Sequence, residues 1–530
     1  MLENFIPYVV IVIIILFLVM LAQKLKIAYP IILVLGGLVI SLLPGMPEIQ
    51  IDPELIFIIF LPPLLYEAAW YTSWKDLWKW RRVIGSFAFI IVLITSLVIA
   101  LVSSAVIPGF PLALGFLLGG IVSPPDAVSA TSILKQVKVP KRITAILEGE
   151  SLLNDASSLI VFRFALIAVS TGRFIFHEAA LNFVVVIVMG IVVGLVVGMV
   201  YYAVHKWLPT DTNADVILTL TAPYVMYILA EHFHFSGVLA VVSGGLFLTI
   251  RSHRFLTHRS RLRGSNVWSA LSFVLNGLVF MLIGLELPVI ISGLGETSLT
   301  AAIGYGALIS VVLMFTRILC TLGASAFTVF ISRYITTADN RPGWRGPMII
   351  GWAGMRGVVS LAAALSVPLY LDNGMIFPQR NLILFITFTV ILFTLVLQGL
   401  TLPLVIRWLH FEDPDHHLPP EEQDILVRKL LAERSIAFMN NYQNDIFHTH
   451  ETLQYLRAKY ESEHESFEHQ ETDHTIFRDA YLQLLEQQRS WLHELNRKEE
   501  MDEEVIRKFQ GLIDLEEEKL RIRYEADGAG

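Results

Sequence analysis

The stretch Ile121-Val-Ser-Pro-Pro-Asp-Ala127 interrupts an apolar segment that covers residues 112–135. Its two successive prolines remove backbone donors and free the carbonyl groups one turn earlier, so a helix cannot run through undisturbed. In the interior of a membrane, broken backbone is tolerated only where protein covers it or where it lines a cavity. Asp126, beside the break, could cap the second half-helix, neutralise its positive end or contact a cation.

A second interruption lies at Gly351-Trp-Ala-Gly-Met-Arg-Gly-Val-Val-Ser360, where three glycines surround a single arginine, Arg356. Glycine weakens a helix interior, so this segment is also predicted to be a broken helix. Paired interrupted helices at corresponding positions of two halves are typical of inverted-repeat transporters. Arg356 is then predicted to offset the negative half-helix end and the nearby carboxylates without binding the transported ion.

The composition around these breaks is that of a membrane protein. Of the 530 residues, 55% are hydrophobic and 16% are charged, and the mean hydropathy is +0.62, whereas about 25% of residues are charged in soluble domains. Roughly thirteen segments approach the length of about 20 apolar residues that can span a bilayer as a helix. They cover residues 5–22, 30–43, 53–71, 83–107, 112–135, 143–170, 180–206, 214–233, 236–250, 267–292, 298–332, 347–370 and 381–408. The predicted class is therefore an all-α membrane protein.

Loop charge predicts the orientation of the chain. Lysines and arginines collect in alternate loops, at residues 24–26, 75–82, 135–142, 251–263 and 333–345. Because such residues are enriched on the cytoplasmic side of a membrane, the N-terminus is predicted to lie outside and the C-terminal tail in the cytoplasm.

The tail differs in composition from the transmembrane domain, which is predicted over residues 1–410. Residues 411–530 carry 29 Asp/Glu against 14 Lys/Arg, and their apolar residues occur at helical spacing. Such a pattern predicts a soluble, acidic and mainly helical tail.

The densest group of ionisable residues within a span is Glu148-Gly-Glu-Ser-Leu-Leu-Asn-Asp-Ala-Ser-Ser158. On a helix, Glu150 and Asn154 share one face, and Ser151 and Asp155 lie on an adjacent strip. Carboxylate, amide and hydroxyl oxygens suit hard cations, and an acid can be neutralised by a cation or by a proton. Asp155 is therefore the predicted ligand of a monovalent cation. Interhelical hydrogen bonds that only hold the bundle together are the alternative interpretation.

Three motifs in order carry a resemblance to a known family. These are Phe60-Leu-Pro-Pro-Leu-Leu-Tyr-Glu-Ala-Ala69, Leu147-Glu-Gly-Glu-Ser-Leu-Leu-Asn-Asp-Ala156 and Gly354-Met-Arg-Gly-Val358. They resemble the early proline-proline motif, the Gly-Glu-Ser-Leu-Leu-Asn-Asp signature and the late glycine-arginine-glycine motif of the monovalent cation:proton antiporter-1 family, the sodium/proton exchangers and their bacterial relatives. The resemblance covers nearly all of residues 1–410.

This resemblance implies an inverted repeat of thirteen spans in which the two broken helices cross beside Asn154 and Asp155. Asp155 would carry cation and proton in turn, and Asn154, where electrogenic relatives have a second Asp, would go with electroneutral one-for-one exchange. Asp126 beside the break, Ser151 on the polar strip of the helix, and Ser123 or a neighbour of it are the further candidate ligands. In animal exchangers Asp precedes Pro at the first crossing, whereas here the prolines precede Asp126, so the remaining ligands stay open.

The resemblance also implies roles beyond the ion site. Glu150 is expected to pair with Arg317, and this pair, together with Arg356, is expected to stabilise the core. The protein would be a homodimeric antiporter of the cell membrane that exchanges Na⁺, and possibly Li⁺, for H⁺ in pH homeostasis. The tail would regulate it or support the dimer.

Other functions have weaker support in the sequence. A K⁺/H⁺ antiporter stays open, because cation selectivity depends on ligand number and cavity shape. A membrane-embedded hydrolase is disfavoured, since Leu153 stands where a nucleophile elbow needs Gly and His177 lacks the second His of a zinc-protease motif. A cation channel would conduct ions without coupling to protons. No phosphate loop or nucleic-acid signature occurs and Cys320 is the only cysteine, so neither a cofactor, an enzymatic activity nor a nucleic-acid partner is predicted.

Overall fold

The computed structural model describes most of the chain. The described residues are 2–25, 27–42, 53–134, 137, 139–172, 176–294, 297–334, 339, 343–371, 374–409, 420–441, 451–466, 474–495 and 503–524. Several residues of the basic loops, namely Lys26, Lys135, Lys138 and Arg341, lie outside these ranges, as does the start of the predicted tail over residues 411–419. The chain divides into two compact units, Met1–Glu412 and Asp413–Gly530.

The first unit is built from helices. In chain order they are α1 Leu2–Leu25, α2 Tyr29–Ser41, α3 Pro53–Tyr71, α4 Trp74–Gly85, α5 Val92–Val106, α6 Leu112–Val122, α7 Ala127–Leu134, α8 Lys141–Thr171, α9 Phe176–Trp207, α10 Thr212–His232, α11 Gly237–Phe255, α12 His258–Leu285, α13 Leu287–Ser292, α14 Leu299–Ile331, α15 Arg345–Trp352, α16 Val358–Leu365 and α17 Arg380–Leu409. A π-helical segment, Ser86–Ile91, joins α4 to α5.

Eight helical stretches of the described residues are long and apolar enough to cross a membrane, and three shorter apolar helices accompany them. The eight are Trp74–Val106, Leu112–Leu134, Lys141–Thr171, Leu181–Trp207, Thr212–His232, His258–Ser292, Leu299–Ile331 and Arg380–Leu409, and the three are Val9–Leu25, Tyr29–Ser41 and Phe57–Tyr71. The predicted helical class is confirmed, since the one β contact of the described ranges is an isolated bridge between Tyr370 and Ile376. The full count of spans stays a prediction.

Both predicted interruptions are present. The first lies between α6, which ends at Val122, and α7, which begins at Ala127. The second lies between α15, which ends at Trp352, and α16, which begins at Val358. The prolines explain the first break, because they cannot donate the backbone hydrogen bonds that would join the two half-helices.

The fourth predicted span begins earlier than its apolar run. We expected the helix to start near residue 83, but α4 begins at Trp74 and is capped by the Ser73 side chain, which accepts from the Asp76 backbone N–H at 3.3 Å. The hydropathy pattern missed this start because α4 is rich in charged residues and so has no apolar run. The start is defined instead by its N-cap, which depends on one polar side chain. The π-helical segment then widens one turn of the same span.

The interrupted helix α6 lies at the centre of the first unit. Its residues Leu114, Leu117, Leu118 and Ile121 are fully buried. Ser123, Pro124 and Pro125, which follow α6 in the break, are buried as well. Protein therefore covers the broken backbone, as physical chemistry requires at membrane depth.

The second unit is described by itself. Its described residues form four helices, α18 Pro420–Asn440, α19 Glu451–Ser466, α20 His474–Leu495 and α21 Glu503–Tyr524. Arg489 of α20 forms ion pairs with Asp514 at 2.7 Å and Glu517 at 2.5 Å in α21. These pairs join the last two helices across an exposed surface.

Candidate functional site

Asp155 lies on α8 with only 6% of its surface exposed. It lines a cavity of about 20 Å³ that both helix breaks reach, and the other lining residues are Pro124, Pro125, Asp126, Ser151, Gly357, Val359 and Ser360. Within the described residues, no donor is found for the Asp155 carboxylate. A buried carboxylate therefore faces the point where the two interrupted helices meet.

The two breaks are in direct contact. The backbone N–H of Asp126 donates to the carbonyl oxygen of Met355 at 2.7 Å. A Cβ atom at Gly357 would lie 2.3 Å from Asp126 Oδ2, closer than any real contact. Glycine at this position is what lets the second break approach the Asp126 carboxylate.

Asp126 caps the second half of the first broken helix. Its Oδ1 accepts from the Val128 backbone N–H at 3.0 Å, and its Oδ2 accepts from the Ser129 hydroxyl at 2.6 Å and the Ser129 backbone N–H at 3.4 Å. Of the three roles left open by the sequence, helix capping is thus the one that the carboxylate performs in this geometry. The same carboxylate lines the Asp155 cavity, so capping and cation contact are compatible.

Asn154 points to the first break from α8. Its Nδ2 donates to the carbonyl oxygen of Pro125 at 3.1 Å, which satisfies a carbonyl freed by the break. Its Oδ1 is buried and accepts no hydrogen bond within the described residues. The amide therefore holds the broken backbone next to Asp155 without adding charge.

The two predicted serine ligands are placed differently. Ser151 lies at the cavity, where its hydroxyl oxygen accepts from the Ala127 backbone N–H at 3.2 Å. Ser123 lies outside the set of residues that line the cavity, and its hydroxyl accepts from Ser96 Oγ of α5 at 3.2 Å. Ser123 is adjacent to the break in the chain, but the end of α6 directs its side chain to a neighbouring helix.

A larger cavity of about 580 Å³ leads to the same carboxylates. It extends from Asp155 to Tyr71 at the end of α3 and Ser265 near the start of α12. Its lining residues include four carboxyl groups, those of Glu67, Asp126, Glu148 and Asp155, and no Lys or Arg. A cleft lined by one sign of charge concentrates counter-ions, so this cavity favours cations.

Glu150 faces away from the ion site and pairs with Arg317, as expected from the resemblance. The guanidinium of Arg317, on α14, donates to Oε1 at 2.7 Å and to Oε2 at 2.9 Å, and both side chains are almost fully buried. Such a bidentate pair is among the stronger charge-assisted contacts in proteins. It links α8, which carries Asp155, to α14.

Arg356 bridges the ends of both broken helices. Its Nε donates to the carbonyl oxygen of Val122, the last residue of α6, at 2.7 Å, and its Nη1 donates to the carbonyl oxygen of Gly354. The last carbonyls of a helix carry partial negative charge, which a buried cation offsets. The role of Arg356 in stabilising the core stays a prediction.

Two polar residues near the carboxylates were missed in the sequence. Asn276 of α12 lines the larger cavity and Ser360 of α16 lines the smaller one, and Asn276 Oδ1 and Ser360 Oγ are buried without a hydrogen-bond partner in the described ranges. The signal was an amide within the apolar run 267–292 and a hydroxyl shortly after the second break. Together with Asp155, Asp126 and Ser151, these two residues offer oxygen ligands, which hard cations prefer.

Comparison with known proteins shows which family the chain resembles. Residues 10–408 match the profile of a family described as sodium/hydrogen exchanger, transmembrane. The chain is 34% identical over 388 residues to the sodium, potassium, lithium and rubidium/H⁺ antiporter of Bacillus pumilus, a match that covers 71% of this chain and 57% of that protein. It is 34% identical over 410 residues to the uncharacterized Na⁺/H⁺ exchanger YjcE of Escherichia coli, covering 74% of this chain and 73% of that protein.

Among solved structures, the fold is similar to that of the sodium proton antiporter MjNhaP1 from Methanocaldococcus jannaschii. The TM-score is 0.60 at 20% sequence identity, and the match covers 78% of this chain and 100% of that one. At this identity the likeness concerns the fold alone.

Proposed function

The chain belongs to the sodium/hydrogen exchanger family and is a multi-pass membrane protein, and we propose that it exchanges Na⁺, or Li⁺, for H⁺ with Asp155 as the shared carrier. One observation supports the assignment of Asp155 above the others. Its carboxylate is buried at the meeting point of two broken helices, and no hydrogen bond or ion pair to it is found among the described residues. An isolated buried charge is costly, so Asp155 must hold either a cation or a proton.

Competition between the two ions at one carboxylate is enough for exchange. Asp155 with Na⁺ and Asp155 with H⁺ are both neutral, and Asn154 adds no charge. Loaded transitions would then move no net charge, so the membrane potential, about 2.3 kcal/mol per charge per 100 mV, would do little work. The proposed stoichiometry is one cation for one proton.

The surroundings of Asp155 suit alternating access. The acidic cavity supplies cations from one side, and Asp126, Ser151 and the crossing backbone provide further oxygen donors. Glu150 with Arg317, and Arg356, would keep the crossing rigid while the site changes its exposure.

The identity of the cation has two candidates. Sodium is the first, because sodium appears in the family description and in the names of all the relatives given above. Potassium/proton exchange is the second, because the Bacillus relative is named for potassium as well. This chain spans 57% of the length of that relative, so its range of cations is carried over as a proposal.

We also propose the remaining architecture. The first unit would hold thirteen spans in an inverted repeat within the cell membrane, with the N-terminus outside. The tail from residue 411 would lie in the cytoplasm and regulate the exchanger or support a homodimer. The physiological role would be pH homeostasis.

A dye measurement in proteoliposomes tests this proposal. We expect Na⁺ and Li⁺ added to acid-loaded vesicles to dequench a pH dye, and Asp155→Asn to abolish the signal. Asp211→Asn is the matched control, because Asp211 is an exposed helix N-cap and Asn caps equally well. Full activity of Asp155→Asn would contradict the proposed mechanism. A current, which would show that the charges exchanged in the two directions are unequal, would contradict it as well. A response to K⁺ equal to that for Na⁺ would favour the second candidate.

A further inference from the structure

A second large cavity lies apart from the ion site. Its volume is about 580 Å³, and it shares no lining residue with the cavities around Asp155. Its walls come from α4, the π-helical segment, the start of α8, the end of α14 and the start of α15. We refer to it as the basic groove.

The rim of the basic groove carries an excess of positive charge. Lys79, Arg81, Arg82 and Arg142 line it, and Asp339 is the one acid among its lining residues. Asp339 pairs with Arg142 at 3.0 Å. Counted over the lining residues, four basic side chains stand against one acid, and Arg81 and Arg82 are exposed at the rim.

Three of the five basic loops of the sequence converge at this rim. Lys79, Arg81 and Arg82 belong to the loop 75–82, Arg142 to the loop 135–142, and Asp339 to the loop 333–345. These loops are the ones that predict the cytoplasmic face. The rim is thus expected at the depth of the lipid headgroups.

Below the rim the groove is apolar. Its apolar lining includes Phe87 and Ile90 of the π-helical segment, Ile143 and Ile146 of α8, and Phe327 of α14. Ile90 and Phe327 are exposed towards it. A soluble anion would contact only the rim, whereas an acyl chain would cover the walls.

The π-helical segment adds a second feature of functional sites. Its widened turn directs the carbonyl oxygen of Ala88 to the hydroxyl of Ser157 on α8, which donates to it. Such π-bulges are uncommon and occur frequently at functional sites. Here the bulge shapes the wall formed by Phe87.

We propose that the basic groove binds an anionic phospholipid, with the phosphate at Arg81 and Arg82 and an acyl chain along the apolar walls. Guanidinium groups bind phosphate oxygens with paired hydrogen bonds. Basic pockets between transmembrane helices are suited to anionic headgroups on the cytoplasmic side. The lipid would lie against α8 and α14, the helices that Glu150 and Arg317 join, and so it would brace the core outside the ion cavity.

Native mass spectrometry of the full-length protein tests the site. Delipidated protein in detergent is mixed with phosphatidylglycerol or with phosphatidylcholine of the same acyl chains. We expect phosphatidylglycerol to be retained, and Arg81→Gln with Arg82→Gln to reduce its apparent affinity at least about tenfold, since two charge-assisted contacts are removed. Arg259→Gln with Arg263→Gln is the matched control, because both arginines are exposed and lie outside the groove.

Further variants separate loss of the site from loss of the fold. Arg81→Lys with Arg82→Lys should recover part of the affinity, and Ala324→Trp, which fills the groove, should expel the lipid with the rim charges intact. Equal retention of phosphatidylcholine, or unchanged retention in both the glutamine and the tryptophan variants, would overturn the proposal. Equal displacement by glycerol 3-phosphate would also overturn it, because the site would then be one for free phosphate esters.

Discussion

The backbone N–H of Asp126 donates to the carbonyl oxygen of Met355 at 2.7 Å, and this hydrogen bond joins the backbones of the two interrupted helices. The first break would otherwise leave the N–H group without a partner, and the second break would leave the carbonyl oxygen without one. Asp126 thus serves the crossing through its backbone and caps α7 through its side chain. The geometry of the site therefore depends on the position of both breaks relative to each other.

Gly357→Ala should damage the crossing. The new Cβ would lie 2.3 Å from Asp126 Oδ2, so the backbone or the capping carboxylate must move. Such overpacking costs about 1–3 kcal/mol, and we expect a lower melting temperature together with weaker Na⁺-driven proton movement. Gly304→Ala is the control, because no atom lies within 4 Å of its added Cβ on α14. Equal behaviour of the two variants would show that the close approach does not matter.

Replacement of Asp126 separates capping from cation contact. Asp126→Asn should keep the cap, because Asn caps helices as well as Asp does, whereas Asp126→Ala should lose about 1 kcal/mol of stability. We expect Asp126→Asn to melt like the wild type but to need a several-fold higher Na⁺ concentration for half-maximal exchange. An unchanged Na⁺ requirement would restrict Asp126 to capping.

The Glu150–Arg317 pair should show strong coupling. Removing one partner leaves a buried charge uncompensated, which typically costs about 3–5 kcal/mol. We therefore expect Glu150→Ala and Arg317→Ala each to lower the melting temperature strongly, and the double variant to lose less than the two losses combined. Glu150→Ala with Arg259→Ala serves as the control, because Arg259 is exposed and its effect should simply add. Additive losses at Glu150 and Arg317 would argue against the pair.

The helix pair α20 and α21 should lose stability in acid. Hydrogen bonds from Arg521 and then from Arg489 lower the pKa of Glu517 below its usual value. The stabilisation is therefore complete above the usual glutamate pKa of about 4.3 and is lost as the pH falls through the lower folded-state pKa.

Hydrogen exchange over residues 474–524 measures this effect in the full-length protein. We expect protection to be constant between about pH 6 and 8 and to fall below about pH 4.3. Glu517→Gln should reduce protection at neutral pH and flatten the acid response, whereas Glu518→Gln at the exposed neighbouring position should behave like the wild type. An unchanged acid response in Glu517→Gln would assign the effect to other groups.

Local features of the sequence predicted much of the candidate site. Two prolines predict the first break because they cannot donate hydrogen bonds, and the glycines around Arg356 predict the second. Asn154 and Asp155 were recognisable as polar residues in an apolar span, where polar groups are expensive. The start of α4 was missed because hydropathy follows apolar runs and α4 is highly charged.

Contacts between distant residues were beyond local patterns. Glu150 and Arg317 lie 167 positions apart, and their pairing was expected only through a resemblance to a family. Ser123 is beside the break in the chain, yet it bonds Ser96, because the direction of a side chain depends on the helix that packs against it. Asn276 and Ser360 approach the carboxylates only because α12 packs against α3 and α16, and α16 packs against α8.

By itself, the sequence determined that this chain is a helical membrane protein with two broken spans and a carboxylate inside one of them. Hydropathy, proline and charge affect the backbone within a few residues of their position, so their effects can be predicted from the sequence. Only the tertiary structure decided that both breaks meet at Asp155 and that the basic loops enclose a groove. Those contacts follow from packing between segments that are far apart in the chain, which no local pattern encodes.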